Sequence, residues 1–332
     1  MNDAIAIVLI GRNEGARLKN ALASVKGLVD RVVYVDSGST DDSVAHARAE
    51  GVEVVELDMA IPFTAARARN AGVDALRATE ETFTVEIGDL PEFIQFIDGD
   101  CVLERDWLSI ALSVMRAAPD LGIVTGWRRE IHPEASIYNA MCDHEWYRPA
   151  GPIVACGGDM LVRSAAYEAA GGFKDEVIAA EDDEFCLRVR MAGYKLMRIP
   201  RNMTRHDADM HRFGQWWRRS VRNGHGFAQL GVLHGAHLAR ERARVYVFGL
   251  MLPAVALAGL VTTPWVTIGV LALYAGSYAS ALRGLMRDGI APATALRFAG
   301  FLTLAKIPNL VGMATFWARR LRGRSMRIIE YK

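Results

Sequence analysis

The sequence predicts an α/β fold with a mainly parallel sheet, followed by a C-terminal α-helical, membrane-associated region. Three observations predict it. Short apolar runs alternate with helical patterns through about the first 200 residues, the pattern of βαβ units. Two long uncharged apolar runs follow near the C-terminus. The formal net charge of +1 also hides a split: residues 206–332 carry 17 Lys+Arg and 5 Asp+Glu, a net of +12, while residues 1–205 carry 22 against 33, a net of −11. Such a split suggests an acidic, cation-handling part joined to a basic part beside an anionic surface.

The elements follow in order. Residues 4–10, 31–35 and 52–57 are short apolar runs that read as buried strands, with helical patterns over Ala16–Lys26 and Asp42–Glu50 between them. A helix is expected at Thr64–Arg77 and a strand at Phe93–Ile97. Residues 78–92 are acidic and irregular, with an edge strand expected at Phe83–Ile87. A helix at Trp107–Met115, a strand at 121–126, and a loop and helix rich in Trp, Tyr and His over 127–150 come next. Helices at Ser164–Ala170 and Glu181–Ala192 each close on glycine, and a last strand, Tyr194–Ile199, is expected to end at Pro200.

Composition limits the classes available. A hydrophobic share of 51% excludes a disordered chain, and 30 Gly with 4 Cys exclude collagen-like and disulfide scaffolds. Cys101, Cys142, Cys156 and Cys186 form no C-x-x-C pair, which predicts reduced thiols in a reducing compartment. The N-terminal run lacks a basic flank, so it reads as no signal peptide and the N-terminal part is expected in the cytoplasm.

The apolar runs Val245–Val261 and Trp265–Leu282 flank the turn Thr262-Thr263-Pro264. Both are near the short end of the range of about 17–25 residues that cross a bilayer as a helix. Arg240, Arg242 and Arg244 precede this hairpin and Arg283 and Arg287 follow it, which places both its ends on the cytoplasmic side. A buried helical hairpin in a soluble domain is the alternative. A third run, Leu296–Trp317, contains Lys306 and Pro308 and has arginines on both flanks; it either spans or lies in the interface, and the basic ends favour the interface.

Ligands of open α/β sheets bind beyond the carboxyl ends of the strands, so polar residues there are the candidates. Asp36-Ser37-Gly38-Ser39-Thr40-Asp41-Asp42 follows a strand, and is either a helix-capping turn or a nucleotide site. Ile10-Gly11-Arg12-Asn13-Glu14 ends the first strand similarly, and no G-x-G-x-x-G is present. Asp98-Gly99-Asp100 places two carboxylates on a strand-end turn, which is either an exposed turn or a site for a hard divalent cation. Glu181-Asp182-Asp183-Glu184 opens a helix; the helix dipole favours acids there, and mutual repulsion raises at least one pKa, which suits a general base. His206 is either structural or a third metal ligand.

Taken together, I-G-R-N-E, D-S-G-S-T-D-D, R-N-A-G (Arg69–Gly72), D-G-D, G-G-D-M (Gly157–Met160), G-G-F (Gly171–Phe173) and E-D-D-E-x-x-x-R (Glu181–Arg188) resemble the family 2 glycosyltransferases in order and spacing. The resemblance covers roughly residues 4–210 and implies a GT-A, nucleotide-diphosphosugar-binding domain. It implies that Asp36 contacts the nucleotide base, with Arg12 and Glu14 in the same pocket and Arg69 near the diphosphate. It implies Asp98 on the ribose or metal side, Asp100 as main metal ligand, and His206 as the C-terminal metal-binding histidine. Asp182 resembles the catalytic base and Glu181 its supporter, while Gly158 and Asp159 fall on the acceptor and donor-sugar loop.

The domains expected are a catalytic domain at 1–210, a basic interfacial linker at 211–244, and an apolar hairpin with a third helix and basic tail at 245–332. The activity implied is inverting transfer of one sugar from a nucleotide-diphosphate sugar, with Mn2+ or Mg2+. The acceptor would be lipid-linked or a membrane glycolipid at the cytoplasmic face of the cell membrane. Gln215-Trp216-Trp217-Arg218-Arg219 is similar to the Q-x-x-R-W signature of processive synthases but has Arg219 where that signature has Trp, which argues for single transfer. Arg205, Arg212, Arg218, Arg219 and Arg222 are candidates to meet a lipid phosphate or pyrophosphate, and membrane lipid is an expected partner. No nucleic-acid partner is expected, and an oligomer is open. The alternatives are a catalytically silent nucleotide-sugar-binding scaffold and a nucleotidyl-transferring enzyme on a related fold.

Overall fold

The computed structural model describes residues 4–78 and 89–331, so the edge strand expected at Phe83–Ile87 lies outside the described residues. Four strands open the fold: β1 (Ile5–Gly11), β2 (Arg31–Asp36), β3 (Glu53–Glu56) and β4 (Phe93–Asp98). The helices α1 (Ala16–Val25), α2 (Ser43–Ala49) and α3 (Ala65–Arg77) connect them. The strands pair in parallel in the order β3-β2-β1-β4. β1 is buried at every position from Ile5 to Ile10 because helices cover both sheet faces, which is why it reads as an unbroken apolar run. Ile5, Ile7 and Leu9 pack with Leu18, Leu22 and Val25 of α1, while Ala6 and Val8 pack with Ala66, Val73 and Leu76 of α3. Gly72 permits that second contact, since a Cβ there would stand 2.4 Å from Val8.

Next come β5 (Cys101–Leu103), α4 (Trp107–Ala117), β6 (Leu121–Glu130), α5 (Ile137–Trp146), β7 (Gly151–Ile153), β8 (Met160–Arg163), α6 (Ser164–Ala170), α7 (Glu181–Met191) and β9 (Lys195–His206). Among the described residues they complete a nine-stranded sheet in the order β3-β2-β1-β4-β8-β6-β9-β5, with β7 paired to β9. β6 and β9 are parallel, while β8, β5 and β7 pair antiparallel with their neighbours. The short strands β5, β7 and β8 were not expected from the sequence. β9 also runs past Pro200 to His206, where the sequence suggested an end. The register against β6 shifts between Thr125↔Arg198 and Trp127↔Asn202, so Pro200 sits in a bulge where its missing N–H costs no ladder bond. β6 likewise extends four residues beyond Gly126, through Trp127-Arg128-Arg129-Glu130.

The chain divides into two compact units, Met1–Asp209 and Met210–Lys332. The second is helical: α8 (Phe213–His234), α9 (Ala239–Val245), a π-helical turn at Tyr246–Met251, α10 (Leu252–Thr262), α11 (Pro264–Arg287), α12 (Pro292–Leu304) and α13 (Lys306–Leu321). Gln215 opens α8, its side-chain oxygen accepting from the backbone N–H groups of His211 and Arg212 at 2.9 Å each, and Trp216 is buried with its ring edge-on to Phe301. The Gln-Trp-Trp-Arg-Arg stretch is therefore a capped helix start.

Among the described residues, three helical segments are long and apolar enough to cross a membrane: Ala239–Thr262, Pro264–Arg287 and Pro292–Leu321. Leu257, Leu260, Val261, Trp265 and Leu271 present their side chains outward along the first two. The third breaks at Ala305, because Pro308 has no N–H for the carbonyl of Leu304. Its first half runs alongside α11 and its second packs on α8, where Gly224 and Gly312 let the two backbones meet.

Candidate functional site

The carboxyl ends of β2, β1 and β4 lie side by side, and their loops are laced together. Asn13, with φ 55°, accepts at Oδ1 from the Thr40 backbone N–H at 2.7 Å and donates its own N–H to Ser39 Oγ at 2.8 Å. Arg12 donates to the Gly38 carbonyl at 3.4 Å and lies over the Phe63 ring, 4.7 Å from its centre. Glu14 pairs with Arg17 at 3.0 Å. Asp36 is buried, and its carboxylate accepts from Tyr34 Oη, Ser39 Oγ and the backbone N–H groups of Gly38 and Ser39. Asp36 thus shapes the loop whose rim carries Arg12.

The floor of the cleft is a ladder of alternating charges. Arg69 of α3 is 2% exposed; it donates to Glu181 Oε1 at 2.9 Å and to Asp98 Oδ1 at 2.8 Å. Arg128 of β6 donates to Asp98 Oδ2 at 3.0 Å and to Asp159 Oδ2 at 2.9 Å. Asp159 also accepts from Thr204 Oγ1 at 2.6 Å and from the Asp98 backbone N–H at 3.1 Å. Burial pushes the Asp98 carboxyl up, but Arg69 and Arg128 outweigh it and hold it below the usual carboxylate range. Burial likewise works against the charge of Arg69, and Asp98 and Glu181 more than offset it. Gly158 is fixed by this ladder: a Cβ there would stand 2.0 Å from Arg69 Nη2. Asp159, 1% exposed, faces into the ladder.

Asp182 sits in the first turn of α7, half-buried, with its Oδ2 facing Gly157. Burial first, and then Glu181 beside it, push its carboxyl up to about 7, against the pull of Arg69. The other acid of this turn, Glu184, is fully buried and forms a two-pronged pair with Arg188, whose guanidinium also binds the carbonyls of Ala170 and Gly172. Glu184 and Arg188 therefore anchor the Gly171-Gly172 turn.

Asp100 and His206 meet on the far side of Asp98, with Asp100 Oδ2 3.3 Å from His206 Nε2. Donor atoms of Asp100, Cys101 and His206 all lie within 4.8 Å of one another. A carboxylate oxygen and an imidazole nitrogen, both buried, are a donor set that suits a divalent cation. The Trp146 ring meets His206 edge-on at 4.5 Å, and Arg128 lies 5.5 Å from the centre of that ring.

Asp98, Asp100, Arg69, Asp159, Gly158, Glu181 and His206 thus join one connected cluster, with Asp182 beside it. Arg12, Glu14 and Asp36 stand on the neighbouring strand ends. Sequence reasoning missed Arg128, Glu130 and Thr204. The available signal was the period-two alternation of β6: Arg128 and Glu130 share one face, opposite Thr204 and His206 of β9.

The fold is of the GT-A class. Residues 6–156 match the family model described as glycosyl transferase family 2. The pre-mycofactocin glycosyltransferase of Mycobacterium tuberculosis is 25% identical over 248 residues, which are 69% of this chain and 48% of that protein. The glucosyl-3-phosphoglycerate synthase of Mycobacterium tuberculosis is 32% identical over 102 residues, 30% of this chain and 29% of that protein. The chain spans about half the length of the first of these relatives. Among solved structures, a mannosyltransferase from Pyrobaculum calidifontis in complex with GDP-Man and Mn2+ shares the fold, with a TM-score of 0.56 at 19% identity, covering 98% of this chain and 89% of that one.

Proposed function

We propose that the chain is an inverting, metal-dependent glycosyltransferase that moves one sugar from a nucleotide-diphosphate sugar to a lipid-linked or membrane glycolipid acceptor. The observation that carries this is Asp182: a half-buried carboxyl held near neutrality beside a charge-paired acidic cluster. That is the state a general base needs at physiological pH. Asp182 accepts the proton of the acceptor hydroxyl as its oxygen attacks the anomeric carbon and the bond to the diphosphate oxygen breaks. Glu181 and Arg69 fix the turn from which Asp182 acts.

Asp100 and His206, with Asp98 beside them, would hold a Mn2+ or Mg2+ ion, whose charge offsets that of the departing diphosphate. Both Asp98 oxygens take a hydrogen bond from arginine and keep a second lone pair each for such a role. Arg12, Glu14 and Asp36 line the nucleotide end, and the Gly158–Asp159 turn borders the sugar. The mannosyltransferase with GDP-Man and Mn2+ on the same fold supports this reading of the donor and cation.

Residues 1–210 are the catalytic domain in this proposal, 211–244 a basic interfacial linker, and 245–332 the membrane-associated helices. The arginines at both ends of the hairpin support a position of the catalytic domain at the cytoplasmic face. The test is release of nucleoside diphosphate from a panel of nucleotide sugars, with membrane lipid extract as acceptor, in Mn2+ and in EDTA. Release that needs both lipid and Mn2+ supports the proposal. Donor binding without any release supports a silent scaffold, and release of pyrophosphate instead supports a nucleotidyl-transferring enzyme.

A further inference from the structure

Beyond the proposed ligands, the structure points to one more residue in the same centre, and the inference rests on the reading of Asp100 and His206 as cation ligands. We propose that Glu130 is the positioning residue of His206: it holds the ring by Nδ1, so that Nε2 and Asp100 are presented together to a divalent cation.

Four observations carry it. Glu130 and His206 are register partners on the parallel strands β6 and β9, so their side chains stand side by side on one face. Glu130 is 5% exposed and its carboxylate is braced by neighbouring donors: Oε1 accepts from the His132 backbone N–H at 3.1 Å and from Asn139 Nδ2 at 3.4 Å, and Oε2 from the Ala208 backbone N–H at 3.0 Å. The two nitrogens of His206 face opposite carboxylates, Nε2 at 3.3 Å from Asp100 Oδ2 and Nδ1 at 3.8 Å from Glu130 Oε2. His206 Nδ1 is buried and has no hydrogen-bond partner among the described residues.

A buried ring N–H needs an acceptor, and the carboxylate that faces Nδ1 is Glu130. At 3.8 Å the contact is longer than a hydrogen bond, and a movement of less than about an ångström closes it. Such bonds are often long in ligand-free enzymes and tighten when the centre is filled. With its proton on Nδ1, the ring keeps the Nε2 lone pair for a cation. Carboxylates behind metal-binding histidines act in this way, fixing both tautomer and ring direction. The Trp146 ring, edge-on at 4.5 Å, limits rotation of the imidazole.

The test uses the full-length chain in detergent and Mn2+ alone, followed by electron paramagnetic resonance of free Mn2+. The wild type is expected to bind. E130Q, which removes the charge and keeps an oxygen for one of the two backbone donors, is expected to bind about 10- to 100-fold more weakly. N139A removes only the longest contact to that carboxylate, at 3.4 Å, and leaves its charge and both backbone donors, so it is expected to stay within about twofold of wild type. A second measurement needs no variant: 15N spectroscopy of wild-type His206 is expected to show the proton on Nδ1. Equal Mn2+ affinity in E130Q and wild type, an equal loss in N139A and E130Q, or a proton on Nε2 would each overturn the role of Glu130. Failure of the wild type to bind Mn2+ would overturn the cation reading beneath it instead.

Discussion

A Cβ at Gly158 would stand 2.0 Å from Nη2 of Arg69, so the turn that carries Gly158 and the guanidinium below it occupy shared space. The far end of an arginine can usually swing away from such a contact. Arg69 cannot, because it is 2% exposed and bound on two sides, by Asp98 and Glu181. Gly158→Ala is therefore expected to displace the guanidinium, and with it both the Asp98 carboxylate and the start of α7. Misplacement by about an ångström near the chemistry costs on the order of 100-fold in rate. Measured turnover with an unchanged far-UV spectrum checks this; a variant as active as wild type would mean that the ladder plays no part in positioning.

The pH dependence follows from Asp182. Its carboxyl is raised to about 7, so the proposed base is protonated and idle below that pH and ionised above it. Turnover is expected to rise through pH 7 and level off in the alkaline range. For stability the sign is opposite: a carboxyl whose folded pKa lies above its unfolded value of about 4 stabilises the folded state below that value, and the contribution is lost as pH rises toward 7. Rate profiles with saturating donor, set beside thermal melts across the same range, check both signs.

Arg128 should matter for folding as much as for chemistry. It neutralises Asp159, 1% exposed, and Asp98, and its own side chain is 14% exposed. Arg128→Gln leaves two partly or fully buried carboxylates short of a partner, a change that costs on the order of 3–5 kcal/mol in comparable buried pairs. Urea or thermal unfolding of the two proteins measures it. A loss below about 1 kcal/mol would place this pair with solvent-screened surface pairs.

How much of this was legible in the sequence depended on the kind of residue. β1, β2 and β4 are buried on both faces, so their apolar runs announced them, and the polar residues at their ends were found at once. β5, β7 and β8 have three or four residues and owe their existence to partners distant in sequence. Pro200 marked an end for β9, and only the bulge opposite Gly126 explains why the strand continues. Arg128 was passed over because one buried arginine has no local signature; its meaning comes from Asp98 and Asp159, 30 and 31 positions away. Within E-D-D-E-x-x-x-R the motif was visible, but separating Glu184, paired with Arg188, from Asp182, the proposed base, needed burial and hydrogen-bond partners.

The helical hairpin predicts a topology. If both ends of Ala239–Arg287 lie on the cytoplasmic side, cysteines introduced as R240C and D288C react with an impermeant thiol reagent only when that face is exposed. T263C, at the turn, is expected to react from the opposite side or to be shielded by lipid. Equal labelling of all three positions from one side, together with release of the chain by alkaline carbonate, would contradict a spanning hairpin.

The central claim is that Asp182 is the base of a sugar transfer, and Asp182→Asn tests it most directly. The substitution keeps shape and removes the ability to accept a proton at neutral pH. Turnover of the nucleotide sugar in the presence of lipid acceptor and Mn2+ is expected to fall by about 100- to 10,000-fold, with donor affinity little changed. Turnover within about threefold of wild type, at unchanged donor affinity, would contradict the account.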